Sequence, residues 1–269
     1  MRIRDLFWIG AGAFAGTLAY GALVESKRLT VERRELNLPN WPKRLNGYRI
    51  AVLADLHLNA EYSIELGQRA VESALDASPD MVVLPGDLVS YWREGTESAL
   101  LRVLEPLLAM NGNVIATPGN REYWQGSPEQ LVPVLDALNI RLLRNELWVK
   151  DGIQWVGADS LNGGQADPIL AMQSVETKKP CIALWHEPDA IEALPPGADL
   201  MISGHTHGGQ FRLPNGWAPV HSKNGKRFQD GFFPEASTPL YVSRGIGTTG
   251  PPSRLFCPPE VSVLTLNSG

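Results

Sequence analysis

The sequence is short of cysteine, of basic charge and of repetition, and each shortage excludes something. Only Cys181 and Cys257 occur among 269 residues. Two thiols build neither a disulfide framework nor a zinc finger, so both are expected free and buried. The net charge is -5. It is uneven: residues 1–47 hold eight Lys/Arg and four Asp/Glu, and the remainder holds 16 and 25. A body this acidic does not suit a phosphate backbone, and no nucleic-acid partner is expected. There is no internal repeat and no low-complexity tract. With 43% apolar and 20% charged residues, a packed core forms and wholesale disorder is excluded. The length fits one large domain with an appendage.

There is one long apolar run, Leu6 to Val24, rich in Gly and Ala and free of charge. As a helix it reaches about the 30 Å of a bilayer core. Trp8 and Tyr20 lie near its ends, where interfacial aromatics belong. Gly12 and Gly16 form a G-x-x-x-G face that fits self-association of such a helix. An uncleaved transmembrane anchor is expected. A cleaved signal peptide (Ala19-Tyr20-Gly21 is a passable cleavage site) and a buried soluble helix compete with it. Lys27, Arg28, Arg33 and Arg34 follow the run, against Arg2 and Arg4 before it. That balance places the C-terminal body on the cytoplasmic side of a bacterial-type inner membrane. Residues 1–25 are thus expected as the anchor, 26–47 as a connector containing a short edge strand at 29–32, and 48–269 as the folded domain.

From Tyr48 onward a pattern recurs. A short apolar run ends, and a residue able to bind metal follows at once. Ile50–Ala54 leads to Asp55-Leu56-His57, Met81–Leu84 to Gly86-Asp87, and Val114–Thr117 to Gly119-Asn120. Cys181–Trp185 leads to His186, and Leu200–Ile202 to Gly204-His205-Thr206-His207. Such runs suit strands buried on both faces. Helical periodicity separates the early ones, within 62–77, 97–109 and from Ser127, where Pro128 and Gln130 complete a capping box. Further strands are expected at 141–143, 146–150, 153–158, 240–243 and 261–266. The order βαβα, then β-rich, predicts a layered α/β domain. Ligands in such sheets gather beyond the C-terminal strand ends, where all five clusters fall.

The candidate ligands are Asp55, His57, Asp87, Asn120, His186, His205 and His207. Carboxylate, imidazole and amide oxygen suit borderline divalent cations such as Mn²⁺, Fe²⁺ or Zn²⁺. Seven exceed the needs of one tetrahedral ion; two ions sharing a carboxylate would use them all. Singly, each residue is more simply a turn, cap or core residue. A metallo-β-lactamase-like site also starts from H-x-H but wants Asp-His next, and Gly208-Gly209-Gln210 does not supply it. Those glycines let the chain turn tightly and clear a bound phosphate.

The ordered blocks D-L-H, G-D, G-N-x-E, a lone His and G-H-T-H resemble the calcineurin-like metallophosphoesterase superfamily over residues 48 to 267. The resemblance implies a four-layer α/β/β/α sandwich and two divalent metal ions, Mn²⁺ first, with Fe or Zn as alternatives. One ion would sit on Asp55, His57, Asp87 and His207, the other on Asp87, Asn120, His186 and His205. Two cations about 3.5–4 Å apart lower the pKa of a shared water and neutralise phosphoryl oxygens during in-line attack. Asp87, Asn120, Arg121 and His205 are the expected catalytic set.

One departure from the family pattern is informative. The superfamily commonly has histidine after the G-N asparagine, and here stands Arg121. Arginine stabilises charge but donates no proton to a leaving group. A phosphate leaving group needs none, so Arg121 favours a diphosphate bond over a phosphomonoester. This G-N-R variant resembles enzymes of lipid A synthesis that hydrolyse UDP-2,3-diacylglucosamine to UMP and a lipid-linked sugar 1-phosphate. A plain salt bridge is the competing role. The expected partners are therefore the bilayer and a lipid-linked nucleotide phosphate. A broad-specificity phosphodiesterase and a non-catalytic metal-binding scaffold are the alternatives. Trp92 and Trp124, with Tyr91, Tyr123, Phe232 and Phe233, are candidates for an acyl groove or for ordinary core. Arg244, opening Arg244-Gly245-Ile246-Gly247, is a candidate phosphate contact. Lys223, Lys226 and Arg227 form a small basic run.

Overall fold

The computed structural model describes residues 3–269; within the first helix the side chains of residues 3, 4, 6, 7, 9, 10, 13 and 14 lie outside that description. Arg2 and the side chains of Arg4 and Leu6, used above for orientation and for the start of the apolar run, therefore lie outside the described residues.

Strand direction positions the site. In the first sheet β2 (Tyr48–Val52), β3 (Met81–Pro85) and β4 (Val114–Thr117) run parallel. In the second, β7 (Ile153–Gly157), β8 (Cys181–Leu184), β9 (Leu200–Ser203) and β11 (Leu240–Val242) run parallel. The first sheet is completed by β1 (Thr30–Leu38), β5 (Arg141–Leu142) and β12 (Glu260–Ser268), in the order β1-β12-β2-β3-β4-β5. The second is completed by β6 (Glu146–Lys150) and β10 (Gly231–Phe233), in the order β10-β11-β9-β8-β7-β6.

Side-chain alternation decides the layering. Ile50 and Val52 of β2, and Met81 and Val83 of β3, join Trp155, Ile182, Leu184, Leu200 and Ile202 in the core between the two sheets. The intervening Ala51, Val82 and Leu84 face the opposite way, against α2 (Glu61–Asp76), α3 (Thr96–Leu104) and α4 (Leu131–Ala137). The outer face of the second sheet is covered by α5 (Pro168–Met172) and the helical turn 188–193. Each fully buried Leu, Ile or Val contributes about 1.5–3 kcal/mol. These strands read as continuous apolar runs because both faces are buried.

Several expectations are adjusted locally. The helix expected over 97–109 stops at Leu104 and continues as a 3₁₀ turn over Glu105–Met110, with Pro106 near its start. Ser127 caps as expected: its Oγ accepts from the Glu129 amide at 3.3 Å, and Gln130 answers at the Ser127 amide at 3.0 Å. The turn it opens is 3₁₀ before α4 begins. Residues 26–47, expected as a connector, carry β1, a nine-residue edge strand that pairs along its whole length with β12. The sheet therefore starts at Thr30.

The N-terminal run is a 21-residue helix, α1 (Ile3–Leu23). Among the described residues no helix is long and apolar enough to cross a membrane. The expected span also ends too late, because the last turn of α1 is docked on the domain. The Arg254 amide donates to the Gly21 carbonyl at 3.2 Å, and Gly21 is buried.

Candidate metal centre

The loops that leave β2, β3, β4, β8 and β9 converge on one point between the sheets. Two groups form there: Asp55, His57 and His207, and Asp87, His186 and His205, with the ligand atoms of each group within 4.8 Å of one another. In the first, His57 Nε2 lies 3.0 Å from His207 Nε2, and Asp55 Oδ1 lies 3.6 Å from His207 Nε2. In the second, His205 Nδ1 lies 3.2 Å from His186 Nε2. Asp87 Oδ2 stands 3.4 Å from His57 Nε2 and 3.3 Å from His186 Nε2, facing both groups at once. Ligand atoms bound at about 2.0–2.2 Å to one cation stand roughly 3–3.5 Å apart, so these separations fit.

Hydrogen bonding fixes which nitrogens are offered. His186 Nδ1 lies 2.7 Å from the Pro85 carbonyl and donates to it, which leaves Nε2 free to ligate. His205 has the opposite tautomer: Nε2 donates to the Lys223 carbonyl at 2.6 Å and Nδ1 faces the site. Such outer contacts orient metal-binding imidazoles. Asn120 Oδ1 is buried without a hydrogen-bond partner. A buried amide oxygen left so is costly unless a cation takes it. The residues present thus fit two divalent ions.

The electrostatics agree. Burial holds the His57 pKa down to about 3 and that of His207 well below its ordinary value, so both are neutral ligands at physiological pH. Burial, assisted by the neighbouring charge of Asp87 and opposed by His186, pushes Asp55 up to about 7. At His186 burial is outweighed by Asp87, Asp55 and Glu187, and its pKa rises well above the usual value, so a cation held by these carboxylates would displace the proton on Nε2. Buried carboxylates crowded in this way draw in cations.

Backbone strain accompanies the site. Asp55, His57, Asp87, His205 and His207 all have positive φ, between 49° and 71°. Left-handed non-glycine residues are uncommon, and they cluster where surroundings over-determine a functional geometry. Gly119 is required by close approach: a Cβ there would stand 2.3 Å from Asp87 Oδ1. Gly208 and Gly209 make the tight turn expected of them. Cβ atoms there would strike Arg212 and Ala218, so these glycines also serve internal packing. Thr206 turns from the site, its Oγ1 donating to the Gln229 carbonyl.

Three supporting residues escaped sequence reasoning. Glu122 is fully buried and accepts from the amides of Asp87 at 3.1 Å, Val89 at 3.2 Å and Gly119 at 2.7 Å. Arg254 is fully buried. Its guanidinium donates to the carbonyls of Gly247 at 2.6 Å, Gly245 and Arg244 at 3.0 Å, Cys257 at 3.3 Å and His207 at 3.4 Å. Glu187 gathers Ser160 Oγ and the amides of Leu161 and Asn162. The glutamate of G-N-x-E was the only sequence signal among them.

Arg121 stands at the mouth of a cleft of about 220 Å³ lined also by Asp87, Asn120, His205, His207, Ser222 and Thr249. Its guanidinium stacks 3.8 Å from the centre of the Trp124 ring and donates to Thr249 Oγ1 at 2.9 Å. Trp124 is half exposed beside it. The other candidate contacts are not brought there. Trp92 is buried in the helix-covered core, its Nε1 donating to the Glu122 carbonyl at 2.7 Å. Phe232 and Phe233 form β10 and pack on the cores. Arg244 pairs with Glu32 at 3.0 Å and Glu260 at 2.7 Å, which ties β1 to β12, and it does not line the cleft.

Two imidazole–carboxylate groups, with Asp87 of the second facing the first, fit a dinuclear divalent-metal hydrolase. The chain belongs to the calcineurin-like phosphoesterase family, whose model matches residues 48–209. It is 32% identical over 226 residues to "Phosphodiesterase YaeI" of Escherichia coli (strain K12), covering 81% of this chain and 82% of that one. It is 27% identical to "Uncharacterized metallophosphoesterase YkuE" of Bacillus subtilis (strain 168), covering 96% and 93%. It is 29% identical to "UDP-2,3-diacylglucosamine pyrophosphatase LpxG" of Chlamydia trachomatis serovar D, covering 90% of each.

Proposed function

We propose that the protein hydrolyses the diphosphate bond of a lipid-linked nucleotide, with UDP-2,3-diacylglucosamine the specific candidate, releasing UMP and a lipid-linked sugar 1-phosphate. The observation that carries this is Arg121. Held by Trp124 and Thr249 at the cleft mouth, it sits where a leaving phosphate gains charge and cannot act as a proton donor. The likeness to the Chlamydia trachomatis diphosphatase supports the same reading.

Each residue then has a task. Asp55, His57, Asp87 and His207 would hold one ion, and Asp87, Asn120, His186 and His205 the other; Mn²⁺ fits this mixed nitrogen and oxygen set. Bound there, the ions would supply charge neutralisation at phosphorus and acidify a water nucleophile. The Pro85 and Lys223 carbonyls keep the tautomers of His186 and His205 fixed. Glu122 and Arg254 hold the loops. Arg121 accepts the charge that moves onto the departing phosphate. Attachment to the cytoplasmic face of a membrane through α1 is part of the proposal. It is supported by exposed Trp8, Leu18, Tyr20, Leu23 and Val24, with Lys27 and Arg28 exposed next to them. The open surface at Gly12 and Gly16 leaves room for helix pairing.

The likeness to the Escherichia coli phosphodiesterase favours a second reading, a diester hydrolase of broader range. Product analysis on UDP-2,3-diacylglucosamine beside simple diesters and monoesters separates the two. The proposal expects UMP from the lipid nucleotide at a rate well above the diesters; equal or lower turnover contradicts it. Arg121→His is expected to raise monoesterase relative to diphosphatase activity, and an unchanged ratio refutes the leaving-group reasoning.

A further inference from the structure

Ser222, which lines the cleft, follows a loop of exposed apolar residues, and that loop is joined to α1. Residues 211–221 form a loop whose tip is a tight turn, the Leu213 amide donating to the Trp217 carbonyl at 2.9 Å. Leu213, Trp217 and Val220 project from it, with Trp217 57% and Val220 66% exposed. A water-facing tryptophan between two exposed aliphatic side chains has no role in the core.

The loop is tied to neighbouring elements. The Arg212 amide donates to the Leu255 carbonyl at 2.8 Å, and the Leu255 amide donates to the Gln210 carbonyl at 2.9 Å. Between Leu255 and Cys257 stands Phe256, half exposed with φ of 49°. A bulky residue in the left-handed region is strained, and this strain holds an aromatic ring toward solvent. The same segment carries the Arg254 amide bound to Gly21, and the Cys257 amide donates to Glu25 Oε1 at 2.7 Å. Leu23 and Val24, exposed between these two anchor points at the root of α1, are thereby tied through residues 254–257 to Phe256 and the loop. The metal centre is equally close: Ser222 at the end of the loop lines the cleft, and Ala218 packs on Gly209, two residues after His207.

Charge selects the partner. In a chain with 29 Asp/Glu, residues 203–229 and 244–259 contain none. Lys223 and Lys226 lie in the first segment, exposed, and their ammonium groups have no hydrogen-bond or ion-pair partner among the described residues. Asp189 accepts from the Lys226, Arg227 and Phe228 amides and Glu192 pairs with Arg227, which leaves the two lysine ammonium groups turned to solvent. An aromatic and aliphatic loop beside two such lysines fits an anionic lipid surface.

We propose that the loop 211–221, Phe256 and the root of α1 form one membrane-docking surface, which lays the mouth of the metal cleft against an anionic bilayer. It deepens the lipid-linked substrate reading, and rests on it for the identity of what enters the cleft. Docked in this way, the cleft receives a headgroup phosphate at the depth where lipid-linked phosphates lie, with no need to extract the acyl chains.

The test uses the full chain with Trp217→Cys labelled with the fluorophore NBD, and Val149→Cys on exposed β6 as control. The native thiols are buried and do not compete for label. On vesicles of phosphatidylcholine and phosphatidylglycerol, the label at 217 is expected to shift to the blue, brighten severalfold and be quenched by brominated acyl chains, with the label at 149 unchanged. High salt or omission of phosphatidylglycerol is expected to weaken the response. A label at 217 that stays aqueous on vesicles to which the protein has bound overturns the proposal. So does concentration-dependent shielding without lipid, which would assign the surface to a second copy. A triple variant, Leu213→Ser with Trp217→Ser and Val220→Ser, should keep bis(p-nitrophenyl) phosphate hydrolysis within twofold. It should lose about tenfold on a lipid-linked diphosphate embedded in vesicles; equal losses on both substrates overturn the proposal. If the unaltered protein ignores the lipid nucleotide, the substrate reading fails while the label at 217 still reports docking.

Discussion

Replacing Arg254 with methionine keeps a long side chain and deletes the guanidinium that gathers the loops behind the first metal group. Five carbonyls lose that guanidinium: those of His207, Arg244, Gly245, Gly247 and Cys257. Hydrogen bonds to a charged donor are each worth about 1.5–3 kcal/mol, so five amount to roughly 8–15 kcal/mol gross. Against this stands the cost of keeping a guanidinium out of water, several kcal/mol, which the substitution returns. Burial lowers the Arg254 pKa, with the attraction of Cys257 and Asp55 opposing it. The net loss expected is that of breaking a buried charged contact, about 3–5 kcal/mol. In urea, with a slope of roughly 2–3 kcal/mol per molar, the midpoint falls by about 1–2 M. Because the carbonyl of His207 is one of the five, affinity for the ion on Asp55, His57 and His207 should weaken with it. Equilibrium unfolding and metal analysis of the purified variant measure both effects. A midpoint within 0.3 M of the parent, together with full metal content, would refute the reasoning.

Other outcomes follow from the same geometry. Asp87→Asn removes the carboxylate that faces both groups; metal content should fall from two ions to one or fewer and turnover by at least about a hundredfold, since carboxylate charge holds both cations. A variant that retained two ions would show that Asp87 does not bridge. Cys181 is pushed by burial, and by the charge of Asp199, up to about 12, and both thiols are buried. At pH 8 the native protein should therefore leave Ellman's reagent uncoloured and the denatured protein should release two equivalents; rapid reaction of one native thiol would contradict the packing around it.

The ligand set was legible because its signals are local. Each of Asp55, Asp87, Asn120, His186 and His205 follows directly on an apolar strand, and parallel strands bring their C-terminal ends to one edge. What was hidden depends on contacts far apart in sequence. Arg254 binds backbone carbonyls spread over residues 207–257, and a carbonyl leaves no mark on residue type. Arg244 follows a strand as a phosphate-binding arginine would, yet its partners are Glu32 and Glu260 on two other strands. Trp92 looked like part of a groove because it lies close to Asp87 in the chain, but its indole donates to the Glu122 carbonyl and points into the core. The edge strand expected at 29–32 runs on to Leu38; its exposed middle, Arg33-Arg34-Glu35, masks the alternation. Only buried Leu36 and Leu38 report its pairing with the last strand. The helix α1 stood out by composition, and its docking through Gly21 did not.

Two ions acting together in one centre are the core of the proposed chemistry. The most direct measurement is titration of chelator-treated full-length protein with Mn²⁺ while hydrolysis of bis(p-nitrophenyl) phosphate is followed. Activity is predicted to be absent without metal, to rise with added ion and to saturate at two equivalents per chain. Saturation at one equivalent, or hydrolysis that persists without any divalent ion, would contradict the account.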